Sequence, residues 1–121
     1  MIEFLEGFPP NVIALVAKGR VTKSDYDHVL TPKVADVIGR GGKVRCYYEL
    51  DQQFSGFDAG AVLEDFKLGV SHLFSWERVA VVTDVEWIRM TVAVFRFLIP
   101  GEIRIFGIAE AAAARTWIVA S

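Results

Sequence analysis

Few side chains in this chain of 121 residues stand at the spacings that catalysis or metal binding requires. Asp84 and Glu86, between an apolar run and the next helical pattern, could form an acid/base pair, because ligands of α/β sheets gather at the carboxyl ends of strands. Capping and complementarity to the helix dipole account for both carboxylates, and capping is the reading adopted. Asp51, Asp58, Glu64 and Asp65 offer oxygens to a cation, yet they straddle an expected loop and the first turns of an expected helix, where acids are ordinary. His28 and His72 have no partner at metal-ligand spacing and read as surface or helix-end histidines. Gly39, Gly41 and Gly42 lack the Lys and the Ser or Thr of a phosphate loop and follow a helix, so they read as its exit. The single Cys46 excludes an internal disulfide and reads as an inert buried thiol. The expectation is a non-enzymatic chain with no catalytic residues, no metal site and no cofactor.

Apolar surface is the stronger signal. In Val85 to Ile99, VEWIRMTVAVFRFLI, helical spacing puts Ile88, Val92, Phe95 and Ile99 on one stripe, Trp87, Val94 and Leu98 on a second, and Met90, Ala93 and Phe97 on a third. Only Arg89 and Arg96 make a clearly polar strip. A helix lying on a sheet needs an apolar arc somewhat wider than about 100°, so the surplus must face another helix, a ligand, a partner chain or a lipid surface. Trp87, Met90, Val94 and Leu98, with Phe54 and Phe57 from the preceding loop and Phe66 from the neighbouring helix, are the candidate lining of an apolar ligand site between two helices and the sheet. An ordinary core plus a homodimer interface is the alternative.

The elements that position these residues follow from period and punctuation. Residues 2–6 and 11–18 read as an antiparallel strand pair joined through GFPP. Thr22 and Asp25 form an imperfect capping box opening a helix to about Ile38, which Pro32 should kink. A strand at 43–50, a loop through Gly56, and a helix from about Asp58 to Phe74 follow; Ala59, Val62, Leu63, Phe66, Val70 and Leu73 are its sheet-facing stripe. Residues 78–83 read as a central parallel strand, with Asp84 capping the greasy helix behind it. A last strand at 102–106 and an Ala-rich helix at about 110–119 close the chain. In strand 43–50, Val44, Cys46, Tyr48 and Leu50 oppose Lys43, Arg45, Tyr47 and Glu49, and Ile103 and Ile105 oppose Glu102 and Arg104. With right-handed crossovers this predicts helices mainly on one sheet face and a wet opposite face carrying Arg45, Tyr47, Glu49 and Arg104.

Composition bounds the rest. Charged residues are 23% and hydrophobic ones 53%, the net charge is −2 and the pI about 5.6, which describe a single folded domain over residues 1–121. Scattered Lys and Arg give no footprint for nucleic acid. MIEFLEGFPP lacks the basic start and apolar run of a secretory signal, and the stretch ending at Ile99 is too short and charged to span a bilayer, which takes about 20 apolar residues. A cytoplasmic protein with peripheral membrane contact is expected.

Several segments together resemble the SpoIIAA-like family, whose STAS-type fold is related to anti-sigma-factor antagonists: GFPPNVIALVAKGRVTKSDY, GKVRCYYEL, FSGFDAGAVLEDFKLG, WERVAVVTDVEWIR, and PGEIRIF followed by the helix carrying Trp117. The resemblance covers nearly the whole chain in order. It implies an α/β domain with a mixed, mostly parallel five-stranded sheet, an antiparallel N-terminal edge strand and about four helices. Phosphorelay members of the broader fold carry a phosphorylated hydroxyl at the helix start where this chain reads Asp58, Ala59, Gly60, Ala61, so that switch is not expected; Ser55 is the nearest hydroxyl. The resemblance implies a module that binds a small apolar or lipid-like molecule, or a membrane surface, through its two middle helices. A protein-interaction regulator of antagonist ancestry is the second expectation.

Overall fold

The computed structural model describes residues 1–121 apart from Leu73, with the backbone alone of Phe66, Gly69 and Val70. Its frame is a five-stranded sheet in the order β1 (Ile2–Phe4), β2 (Val12–Val21), β3 (Val44–Phe57), β4 (Trp76–Val82), β5 (Glu102–Phe106). β1 pairs antiparallel with β2, and every other pairing is parallel. This is the mixed sheet with an antiparallel N-terminal edge that the sequence predicts. Two strands run past their expected ends. β2 continues to Val21, so β3 still has a backbone partner beyond Leu50, and the expected loop through Gly56 is strand. Bulges around Gly19, whose φ is +58°, absorb the extra β3 residues and restore pairing at Val21 and Phe57.

Local chemistry sets the helix ends. Thr22 and Asp25 make the capping box that opens α1 (Lys23–Asp25). Two effects compete at Asp25: partial burial opposes its charge, but the backbone and hydroxyl donors of Thr22 hold its carboxyl below the usual value. A π-helical turn over Tyr26–Leu30 then leads into α2 (Thr31–Gly39). The Thr31 N–H reaches back to the Tyr26 carbonyl, and Pro32 sits in the first turn of α2, where its missing N–H costs nothing. Asp58 caps α3 (Ala59–Ser71), its Oδ1 accepting from the Ala61 N–H at 2.7 Å. α4 (Glu86–Phe95) tightens into a 3₁₀ turn at Arg96–Leu98 before Pro100. Gly101 must be glycine, because a Cβ there would lie 2.3 Å from the Trp76 carbonyl oxygen.

Asp84 does not cap α4. The Val85 N–H donates to Thr83 Oγ1 at 3.0 Å, and Asp84 Oδ1 instead accepts from the Ile108 N–H at 3.1 Å, in the turn that enters α5 (Ala111–Val119). β4 and β5 are parallel neighbours, so the carboxyl end of one stands beside that of the other and Asp84 serves the adjacent helix.

The three crossovers share one sheet face. Their core gathers Tyr26, Leu30, Val34 and Val37, Ala61 and Leu68, and Ile88 over Ile13, Leu15, Val44, Cys46 and Leu50, with Ile103 against it. The opposite face is wet only in part: Arg104 is exposed on the edge strand, Arg45 and Glu49 are half-buried, and the middle is covered. α5 lies on it and buries Ala114 and Ile118 against Val12, Ala14, Tyr47, Ala80 and Val82, and Tyr47 is fully buried. The crossover rule governs helices that join two parallel strands, and α5 follows the last strand, so nothing obliged it to the crowded side. Alanines 14, 80 and 114 allow close approach. Arg45 and Arg78 fasten the far end: Arg78 donates to the Trp117 and Ala120 carbonyls at 3.0 and 2.9 Å and Arg45 to that of Ile118 at 3.0 Å, completing the negative end of the helix dipole. Replacing Tyr47 by Ala should therefore lower the unfolding free energy by about 3–5 kcal/mol, as for other buried aromatics. Urea denaturation checks it; a change near zero would mean that α5 does not cover this face.

Candidate functional site

The candidate site is built on α3 and α4, which cross the same sheet face. In α4 the stripe of Ile88 and Val92 packs inward, and the surplus faces out. Trp87, Met90, Val94 and Leu98 are 53, 62, 68 and 66% exposed, with Phe97 beside them. Trp87 is anchored at one edge, meeting the Phe57 ring edge-on at 6.3 Å, and Phe57 lies 5.0 Å from Phe54. Phe54, Phe57 and Trp87 are thus brought together, but through strand β3 and not through a loop. Met90, Val94 and Leu98 continue outward from that cluster along the helix. The Phe66 side chain lies outside the described residues. Two recesses, of about 320 and 280 Å³, lie elsewhere: one against Arg96, Phe97 and Arg104, the other between Phe74, Trp76 and Gly101. The candidate residues among those described form an open surface and not the lining of either recess.

α3 departs furthest from expectation. Its stripe of Ala59, Val62 and Leu63 was expected on the sheet, yet all three are exposed, while Ala61 and Leu68 are buried. Val70 and Leu73, from the same expected stripe, lie outside the described side chains. A polar bond ties the buried side of α3 to the preceding segment. The hydroxyl of Tyr26, fully buried in the π-helical turn, donates to Asp65 Oδ1 of α3 at 2.8 Å. The Tyr48 hydroxyl of β3 lies 3.2 Å from that of Tyr26. A phenol has one proton, so with the Tyr26 proton on Asp65, Tyr48 donates to Tyr26 and the chain is directional. Sequence reasoning passed over this trio, although Tyr48 stands on the core-facing side of its strand and Tyr26 opens the helical segment; the missing signal was the pairing between them.

Electrostatics follow the burial. Desolvation raises both phenols, and the nearby Asp65 charge adds to it. Asp65 keeps part of its surface in solvent, but desolvation around its carboxyl raises it above the ordinary value, with the Tyr26 hydrogen bond working against that rise. Cys46, beneath the same helices, is pushed up to about 12 by burial and then by Asp65. Arg89 is turned back onto the Thr83 carbonyl at 3.0 Å, and the Arg96 guanidinium lies 5.2 Å over the Phe97 ring. Among the described residues no helix is long and apolar enough to cross a membrane. What the arrangement offers is a broad apolar surface with an aromatic edge.

The family model for SpoIIAA-like proteins matches residues 12–119. Among solved structures the chain is similar to the crystal structure of an uncharacterized protein of the DUF3478 family with a SpoIIAA-like fold, from Shewanella loihica PV-4. The two share 23% identity with a TM-score of 0.76, over 98% of this chain and 92% of that one. No curated protein matches.

A thiol raised to about 12 holds almost no thiolate at neutral pH. Folded protein at pH 8 should leave Cys46 unmodified by iodoacetamide, and urea should release full reactivity; mass spectrometry reads both states. Alkylation of folded protein at the rate of a free thiol would contradict the packing described.

Proposed function

The chain belongs to the SpoIIAA-like family, and from that premise we propose that it is a non-enzymatic module that binds an apolar or lipid-like molecule at a membrane surface. The fold is that of STAS-type regulatory or binding domains. The observation that carries the reading is the outward apolar face of α3 and α4, with Val62, Leu63, Trp87, Met90, Val94 and Leu98 all half or more exposed. Burying each large apolar side chain is worth roughly 1.5–3 kcal/mol, so a face of this composition stays in water only at the cost of an aggregation hazard, and a surface that is used removes that hazard. An amphipathic helix lying in the lipid interface buries its apolar side in this way, with Trp at the boundary. Peripheral contact, with no membrane span, is the mode proposed.

Charge narrows the lipid. The net charge is −2, Arg89 of α4 is held by the Thr83 carbonyl, and Arg96 of the 3₁₀ turn behind it lies over the Phe97 ring. Attraction to anionic headgroups is therefore weak, and apolar insertion dominates. Flotation with phosphatidylcholine vesicles should recover the wild-type protein, with little gain from anionic lipid and little loss on adding salt. Met90→Asp or Leu98→Asp should weaken recovery at least about tenfold, the effect of withdrawing one large side chain from the interface. Ala112→Asp, which adds the same charge to the exposed face of α5, should leave it unchanged. A wild-type protein that neither floats nor binds an apolar fluorescent probe would refute the proposal.

A further inference from the structure

We propose that the Tyr48–Tyr26–Asp65 hydrogen-bond chain fixes the rotational setting of α3 and thereby keeps Val62 and Leu63 on the outer surface. Along a helix of about 100° per residue, Ala61, Asp65 and Leu68 share one side, with Val62 about a quarter turn and Leu63 about half a turn away. The side now turned to the core is the poorer one: among its described residues it buries a small alanine and a leucine, with the partly solvent-exposed Asp65 beside them. Apolar burial alone would turn the other side inward, because two large aliphatic side chains, 53 and 52% exposed, would then leave water.

The opposing interaction is the bond from Tyr26 to Asp65 at 2.8 Å. Tyr26 is fully buried at the first position of the π-helical turn, and its hydroxyl also accepts from Tyr48. Rotating α3 would remove the carboxylate and leave the two hydroxyls of Tyr26 and Tyr48 one acceptor short, an unfavourable state for buried polar groups. The three residues belong to three elements, the turn, β3 and α3, and are separated by 22 and 39 positions, so the chain fixes tertiary placement and not local helix geometry. Its N-terminal cap, Asp58 on Ala61, holds the start of α3 and leaves the rotation of the later turns to Asp65. The chain is thus a positioning device for the apolar face, and its functional weight rests on the surface reading above.

The test uses the full-length protein carrying Leu63→Cys, with the native Cys46 as an internal report of unfolding. Position 63 should react with a maleimide at the rate of an exposed thiol. Adding Tyr26→Phe or Asp65→Ala should slow it about tenfold or more, the shift expected from losing one hydrogen bond to a charged group, while Cys46 stays protected. Asp65→Asn retains an acceptor oxygen and should keep the fast rate. Fast labelling at position 63 in Tyr26→Phe and Asp65→Ala, with Cys46 protected, would overturn the proposal, as would equal slowing in Asp65→Asn. Where Tyr26→Phe exposes Cys46, Asp65→Ala decides, since it deletes only the helix end of the chain. Vesicle flotation of the same variants separates the two ideas: slowed labelling with undiminished flotation keeps the positioning role and removes α3 from the binding surface.

Discussion

A parallel strand crossing to its neighbour must do so right-handedly, and in this sheet the strands lie side by side in chain order. Three successive crossovers therefore deliver three helical segments to the same face. Four gaps of about 4.8 Å make the sheet roughly 19 Å across, and three helices 8–10 Å apart need nearly all of that width. The face is filled in a single layer. Each helix can bury only the stripe beneath it, and nothing in the topology supplies a second layer above α3 and α4. An apolar residue placed anywhere but the lower stripe of these helices must face outward. The exposed side chains of α4 are in this sense a consequence of strand order as well as of composition.

The other face shows the same constraint by its absence. α5 joins no strand pair, so it was free to close the side that the crossovers left open, and the residues beneath it are matched to that task. Ala14, Ala80 and Ala114 bring backbone close to backbone, and Tyr47 fills the space beside them. The arginines on this face, which look like solvent residues in isolation, reach along the sheet to the last carbonyls of α5. Their charge is spent on a helix end, not on an acidic ligand.

Much of this could be read in advance wherever a local rule decided the outcome. The capping box at Thr22, the glycine exit after α2, the alternation of β3 and the inward stripe of Ile88 and Val92 each depend on neighbours a few residues apart. The misreadings share a different cause. β3 runs past Leu50 because β2 is there to pair with it, and Asp84 bonds to the turn that enters α5 because β5 ends beside β4; both are decided by a distant segment. The wet face was inferred from β3 and β5, although the unbroken apolar runs of β2 and β4 already indicated burial on both sides. For the candidate residues, spacing identified the outward arc of α4 and its aromatic edge, but placed Phe54 and Phe57 in a loop.

α3 is the case where two legible signals disagreed and the weaker-looking one prevailed. Its apolar stripe is plain in the sequence, and the hydrophobic effect favours turning that stripe to the sheet. Yet a single carboxylate on the other side met a buried phenol whose other partner, the Tyr48 hydroxyl, has a proton of its own to place. Apolar burial is spread over many atoms and changes gradually as a helix rotates, whereas an unmet buried hydroxyl is a penalty concentrated at one position. A directional bond of that kind selects one rotation from a broad minimum. In a layer with no cover above it, that selection also decides which apolar groups meet the solvent. The bond from the buried Tyr26 to Asp65 and the apolar face outside are two results of one choice of helix rotation.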